Sequence, residues 1–317
     1  MAAPAAERTV VEQRLAAIRR TLEGVMGIPA TEGNAIDVLR NGDEIFPAMI
    51  ESIAAARKTI DFLTFVYWKG ETGRKFADAL SERAEAGVRV RVLLDGFGAL
   101  SIEKKLVNLM TGAGVDVQWF RRLGRIQPHK ANHRTHRKVL VVDEEVAFTG
   151  GVGIADEWQG DARDSGEWRD THFRLRGPAV DGLRAAFLNN WVEAEDVLFD
   201  SGVDRFPDQP QPGSAVVQCV RGASSTGWSD VSTLFRTLLA VAEQRVRLTT
   251  AYFVPDERLT DQLCSAADRG VKLDVLLLGR TWTSASFNSP ARRPTSVCLS
   301  TASGSGATRP PCCTRRS

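Results

Sequence analysis

His136 and Lys138, followed by Asp143 and the pair Gly150–Gly151, form the stretch of this sequence best suited to chemistry. On a strand, residues i and i+2 project from one face, so an imidazole and an ammonium group would stand side by side. That pairing suits a phosphodiester, whose phosphorus resists attack until its negative oxygens are balanced. Lys138 supplies a compact cation for a nonbridging oxygen. An imidazole that is partly neutral near pH 7 has a lone pair for attack on phosphorus. The product would be a covalent phosphohistidine, resolved by water or an alcohol. Gly150 and Gly151 let the backbone approach the phosphate closely.

A nucleophilic imidazole also needs an acceptor at its second nitrogen. Asp170, in the segment WRDTH, is the candidate. Asp143 is expected to fix a hairpin and balance local positive charge. His133 and Arg134, with His129, Lys130 and Arg137, read as a basic rim for an anionic substrate. His172 alternates along a strand and reads as a structural histidine. His129, His133 and His136 lack a neighbouring Cys or carboxylate, so neither a metal nor another cofactor is expected.

The elements that must hold these residues alternate between strand and helix. Short strands are expected at Ile36–Leu39, Thr59–Tyr67, Val88–Leu94, Val115–Phe120 and Thr171–Leu175. Helices are expected at Glu44–Ala56, Glu71–Ala86, Ile102–Thr111 and Ala179–Ala194, two of them stopped by Gly87 and Gly112. Val139–Val142 and Val146–Thr149 form a hairpin around Asp143. Such alternation indicates α/β layers. An amphipathic helix is expected within residues 1–33, carrying Val11, Leu15, Ile18, Leu22 and Val25 on one stripe.

Residues 200–213, rich in Pro, Asp and Gly, read as a linker after a first domain at 34–199. The pattern then returns at 214–280. FADALSERAEAGVRVRVLLDG, from Phe76, is echoed by LTDQLCSAADRGVKLDVLLLG, from Leu259, at an offset of 183 residues. KTIDFLTFVY is likewise echoed by QRVRLTTAYF, which makes an internal duplication. Residues 281–317 lose the periodicity and read as a disordered or frame-shifted tail.

Composition narrows the function class. The formal net charge of +2 gives no global basic field, so nucleic acid is not the expected partner. No apolar run approaches the roughly 20 residues needed to cross a bilayer, and the first residues lack the apolar core of a secretory signal. The expected location is cytoplasmic, peripheral to the inner face of the cell membrane. Cys219 and Cys264 sit in apolar surroundings, and no cysteine pair has metal-ligand spacing.

The spacing His-x-Lys-x4-Asp-x6-Gly-Gly resembles the HKD motif of the phospholipase D superfamily. From about Ile36 to Arg280 the chain is similar to its bacterial cardiolipin synthase branch. The likeness rests on NGDEIFPAMIESIAAA, VRVLLDGFG, NHRTHRKVLVVD, FTGGVGIADEW, WRDTHFRLRGPAV and AYFVPDE. The resemblance implies a duplicated α-β-α sandwich with an incomplete second lobe. It implies metal-free phosphatidyl transfer to a hydroxyl of a second phospholipid or of glycerol, at an anionic membrane surface. It also implies that the carboxylate beyond the motif, here Asp170, orients the histidine.

Gly153 stands where the family usually carries Asn. The family further requires a second motif, whose histidine protonates the leaving oxygen. The offset places that set at positions 319, 321 and 326, beyond Ser317, so the chain is expected to be truncated. Two other readings stay open: a one-motif phosphodiesterase or nuclease completed as a homodimer, and a non-catalytic protein that binds anionic lipid.

Overall fold

The computed structural model describes residues 5–122, 134–164, 166–195, 206–222, 230–250 and 253–277. The chain divides into two compact units, Ile28–Ser229 and, from the two ends of the chain, Met1–Gly27 with Asp230–Ser317. These divisions differ from the composition-based boundaries, because segments on both sides of residues 200–213 join one sheet.

In the larger unit the elements run β1 (Thr31–Arg40), α2 (Asn41–Ala54), β2 (Thr59–Thr64), α3 (Glu71–Glu85), β3 (Arg89–Asp95), α4 (Lys104–Gly112) and β4 (Asp116–Phe120). They continue as β5 (Val139–Val142), β6 (Val146–Gly150), β7 (Thr171–Arg176), α5 (Ala179–Glu195) and β8 (Ala215–Val217); α1 (Ala5–Met26) precedes them and belongs to the other unit. The sheet order is β4-β3-β2-β5-β6-β7-β1-β8. β2, β3 and β4 are mutually parallel, while every pair from β2–β5 onward is antiparallel.

Alternating side chains divide the core between the two faces. Ile60, Phe62, Val92, Leu140 and Phe148 pack with Ile45 and Met49 of α2, Phe76 and Leu80 of α3, and Met110 of α4. Leu63, Leu93, Val139, Val141 and Ala147 face the other way, against Val180, Phe187, Leu188 and Trp191 of α5. The fold class is therefore α/β, with helices on both faces of one sheet. Strand β2 is buried along its whole length, as a central strand covered on both faces is, with Asp61 its one charged residue.

Strand β1 begins five residues before the expected Ile36. Its polar first half pairs on the edge with β8, while residues Ala35–Arg40 pair with β7. Asn34 secures that corner. Its amide donates to the Thr31 and Ala215 carbonyls, and its Oδ1 accepts from the Ala179 N–H at the start of α5. The expected linker contributes directly: Gln209 donates to Glu144 O and Asp181 Oδ1, and the Gly213 N–H donates to Gly33 O. Strand β2 stops at Thr64 rather than Tyr67, because the chain then turns so that Trp68 N–H bonds Ile154 O.

The buried polar heart of the α5 face is an ion cluster. Arg91 on β3 makes a two-pronged contact with Asp61 on β2, at 2.8 and 3.0 Å. Arg184 of α5, fully buried, lies 3.6 Å from Asp61 and 2.7 Å from Glu144. Phe187 and Trp191 stack over the Arg91 guanidinium.

The other unit holds α1, α6 (Asp230–Val241), β9 (Arg245–Thr250), α7 (Glu257–Asp268) and β10 (Lys272–Leu277). Asp256 caps α7 by accepting from the Leu259 N–H. On α1, Ile18 and Leu22 are half-buried, whereas Val11, Leu15 and Val25 are exposed.

Strands β9 and β10 are parallel, with Arg247 opposite Asp274, as Asp61 is opposite Arg91 in the parallel pair β2–β3. The β–α–β repeat thus keeps register and reverses the charges. Its Arg247–Asp274 pair is exposed, at 3.8 Å, and Arg245 approaches Asp274 at 3.4 Å. Among the described residues no helix is long and apolar enough to cross a membrane.

Candidate active site

The site lies where the chain enters β5. His136 and Lys138 immediately precede that strand, and the i, i+2 relation brings their side chains together. Lys138 Nζ is 3.2 Å from His136 Nε2, 3.4 Å from Nδ1 and 3.2 Å from the His136 carbonyl oxygen, to which it donates. His136 is exposed, whereas Lys138 is 7% exposed. Phe65, just past β2, carries both: its ring centroid is 4.8 Å from that of His136, and Lys138 Nζ lies 5.6 Å above its face. Thr149 on β6 donates to the Lys138 carbonyl oxygen and fixes the strand entry.

Loss of hydration lowers the basicity of both groups, that of buried Lys138 and, in part, that of His136, whose ring packs on Phe65 although the residue is exposed overall. His136 falls below its ordinary value, first through burial and then through the Lys138 charge, with Asp95 acting in the opposite direction. Lys138 is brought down to about 8 by burial, against the raising influence of Asp170. An imidazole kept neutral beside an ammonium group that still holds its proton at neutral pH can attack a phosphorus and compensate its oxygens.

Gly151 is required by packing, because any β-carbon there would collide with the Asp170 carboxylate. Gly150 likewise abuts the His172 ring across the β6–β7 pairing. The Gly at 153 is explained in the same way: a β-carbon would strike Val66. A residue with a side chain, such as the Asn expected from the resemblance, therefore has no room here without movement of that loop.

Asp170 does not take the place expected of it. Its oxygens accept from Trp158 Nε1 at 3.2 Å and from the Thr171 N–H at 2.7 Å, and its charge bears on Lys138. Among the described residues no hydrogen bond joins it to His136. Asp143 is also remote from the pair, at the far end of β5. It adopts φ +52 and accepts backbone N–H groups from Arg57, Lys58 and Thr59. It ties the β5–β6 turn to the entry of β2 and plays no part at the reacting end.

Asp143→Ala is expected to destabilise the larger unit by about 1–2 kcal/mol, through three unmet N–H groups and a strained φ. Any activity of the folded fraction should stay within about threefold of wild type. Urea denaturation and initial-rate measurements on the same sample check both halves.

The basic rim is likewise revised. The Arg134 guanidinium turns inward, donating to the Arg121 carbonyl and reaching to 4.0 Å from Asp95 Oδ1. Arg137 bonds Ala186 O and Asn190 Oδ1 on α5. Both hold structure rather than line a mouth. His129, Lys130 and His133 lie outside the described residues.

His172 is 1% exposed, is depressed by burial to about 4, and its Nδ1 has no hydrogen-bond partner among the described residues. Phe65 and Asp95 were not singled out by the sequence. The signal for Asp95 is its position at the carboxyl end of a buried strand beside Gly96.

A family described as "Cardiolipin synthase, PLD-like domain" matches residues 49–158, a span that contains His136 and Lys138. The major cardiolipin synthase ClsA of Bacillus subtilis is 30% identical over 250 residues, covering 78% of this chain and 52% of that protein. Cardiolipin synthase A of Pseudomonas aeruginosa is 33% identical over 283 residues, covering 86% and 57%. The chain thus spans about half the length of the curated relatives it matches. Among solved structures, phosphatidylserine synthase of Haemophilus influenzae shares the fold, with a TM-score of 0.58 at 14% identity over 82% of this chain and 65% of that one.

Proposed function

Since the chain belongs to the phospholipase D superfamily, we propose that it carries the nucleophile-bearing half of a cardiolipin synthase-type phosphatidyltransferase. The observation that carries this reading is the contact between exposed His136 and buried Lys138 above Phe65. A ring nitrogen of His136 attacks the phosphorus of a phospholipid phosphodiester. The P–N bond forms as the P–O bond to the headgroup alcohol breaks, and the alcohol leaves with that electron pair and gains a proton. Lys138 offsets the charge that gathers on the nonbridging oxygens. The hydroxyl of a second phospholipid or of glycerol then attacks phosphorus, loses its proton, and releases His136.

The resemblance assigns the leaving-group proton to a histidine of a second motif. We read residues 34–199, with the β8 strand that joins their sheet, as the first phospholipase D-like domain, and the β9–α7–β10 repeat within 214–280 as part of a second. A phospholipid substrate supports action at a membrane surface, which we read as the inner face of the cell membrane, with the protein peripheral to it.

The test is acid-labile, alkali-stable labelling of the protein by phosphatidylglycerol bearing a labelled phosphate, in vesicles. Label on His136 supports the reading. Label absent from folded protein leaves the lipid-binding reading, and label arising from nucleic acid instead leaves the nuclease reading.

The pH dependence follows from the two basic groups. His136 must be neutral to attack, and its value lies below the ordinary 6.5, so kcat/KM falls on the acid side only below about 6.5. Lys138 must be protonated, so kcat/KM falls on the alkaline side through about 8. An alkaline limb that begins only above about pH 10 would remove Lys138 from this role.

A further inference from the structure

We infer that Asp95, closing β3, is the positioning residue that holds His136 in its reactive orientation and balances the charge the ring acquires on bonding phosphorus. This rests on the nucleophilic role proposed for His136. Asp95 is fully buried. Its Oδ1 accepts from the Phe97 and Gly98 N–H groups at 2.8 and 3.1 Å, while Oδ2 has no hydrogen-bond partner among the described residues. A buried carboxylate oxygen left without a donor is destabilising, and such orphans persist where they serve a site.

The surrounding contacts connect this carboxylate to His136. The turn that Asp95 organises presses Gly98 against the Phe65 backbone so closely that a β-carbon at 98 would clash with it. The ring of Phe65 supports the His136 ring at 4.8 Å. Arg134, two residues before His136, reaches to 4.0 Å from Asp95 Oδ1. The Asp95 charge also acts on His136 in the direction that favours its cationic form.

The charged groups around the site divide accordingly. Asp170, from the entry to β7, bears on Lys138; Lys138 in turn depresses His136 and His172; Asp95, from β3, bears on His136. When a ring nitrogen forms its bond to phosphorus and the P–O bond to the leaving alcohol breaks, the imidazole keeps its other proton and becomes cationic. A fixed anion near that cation stabilises it without reorganisation.

The experiment is a pH titration of the imidazole resonances in the full chain labelled with 15N-histidine, with His136→Gln identifying the signal. Asp95→Asn keeps the acceptor for the Phe97 and Gly98 N–H groups and removes the charge. It is expected to lower the His136 midpoint by about 0.5 unit or more, with His172 moving by less than about 0.2 unit. Asp170→Asn is expected to shift His136 less than Asp95→Asn does. Should Asp95→Asn not fold, Asp95→Ser, whose hydroxyl can accept from the same turn, is expected to give the same lowering. A folded Asp95 variant with an unmoved His136 midpoint overturns the inference. The titration needs no turnover: failure to label His136 with phospholipid would count against the nucleophile reading, not against the electrostatic link read here.

Discussion

His136→Ala is expected to lower transfer by about 10⁴-fold or more, a loss of roughly 5 kcal/mol of transition-state stabilisation, and to abolish the acid-labile label. The effect is large because the attacking atom itself is removed; a nearby water has neither the position nor the polarisability of the ring nitrogen. Stability should change little. His136 is exposed, and its described contacts are with Lys138 and the Phe65 ring. Its removal relieves Lys138 of a neighbour without opening the core.

The vacated place above Phe65 should accept free imidazole, so that added imidazole restores part of the activity to His136→Ala and none to Lys138→Met. Matched thermal melts and single-turnover rates check the prediction. A His136→Ala protein that keeps the rate and the label of the wild type would remove His136 as nucleophile.

Asp61→Ala is expected to destabilise the larger unit by about 3–5 kcal/mol, with a fall in Tm of about 10 °C. Asp61 is the carboxylate facing two buried guanidiniums, Arg91 and Arg184. Its loss leaves Arg184 with Glu144, and takes from Arg91 its two-pronged partner, while both stay sealed under α5. The charges are then desolvated with less compensation, which costs more than the pair contributes when intact. Asp61→Ala combined with Arg91→Leu should recover part of the loss, because the uncompensated cation goes too. Urea titrations of the two single variants and the double variant give the coupling. A single variant within about 1 kcal/mol of wild type would show that water reaches the cluster.

The β-branched and aromatic stretch at Thr59–Thr64 and the helix–glycine–strand units were legible because their composition and spacing are local. The His136–Lys138 pair was legible for the same reason, since i and i+2 are neighbours before any folding occurs. Asp170 was read from the sequence as the partner of His136, whereas among the described residues it accepts from Trp158 and Thr171 instead. Its choice of the Trp158 indole and its own Thr171 N–H depends on how the loop after β6 returns, which no local pattern encodes. Arg134 and Arg137 looked like a rim because charge suggests solvent, yet long side chains can reach inward to bond carbonyls. Strand β1 was read short because its first half, which pairs with the short edge strand β8, is written in Thr, Glu, Gly and Asn. Asp95 was hidden because a strand ending in Asp-Gly is an ordinary turn until its second oxygen is seen to be buried alone.

The reversed polarity of the two repeats bears on how a duplicated chain avoids pairing its halves wrongly. Related sheets invite each other's covering helices, since apolar shape alone scarcely tells them apart. Helix α5 brings Arg184 to a surface whose anion is Asp61 on the first strand of the pair; at the equivalent place on β9 it would meet Arg247. Like charges brought together out of water repel by several kcal/mol, so that mistaken docking is disfavoured. The inversion of sign across two strands is thus a difference by which otherwise similar sheets can be told apart.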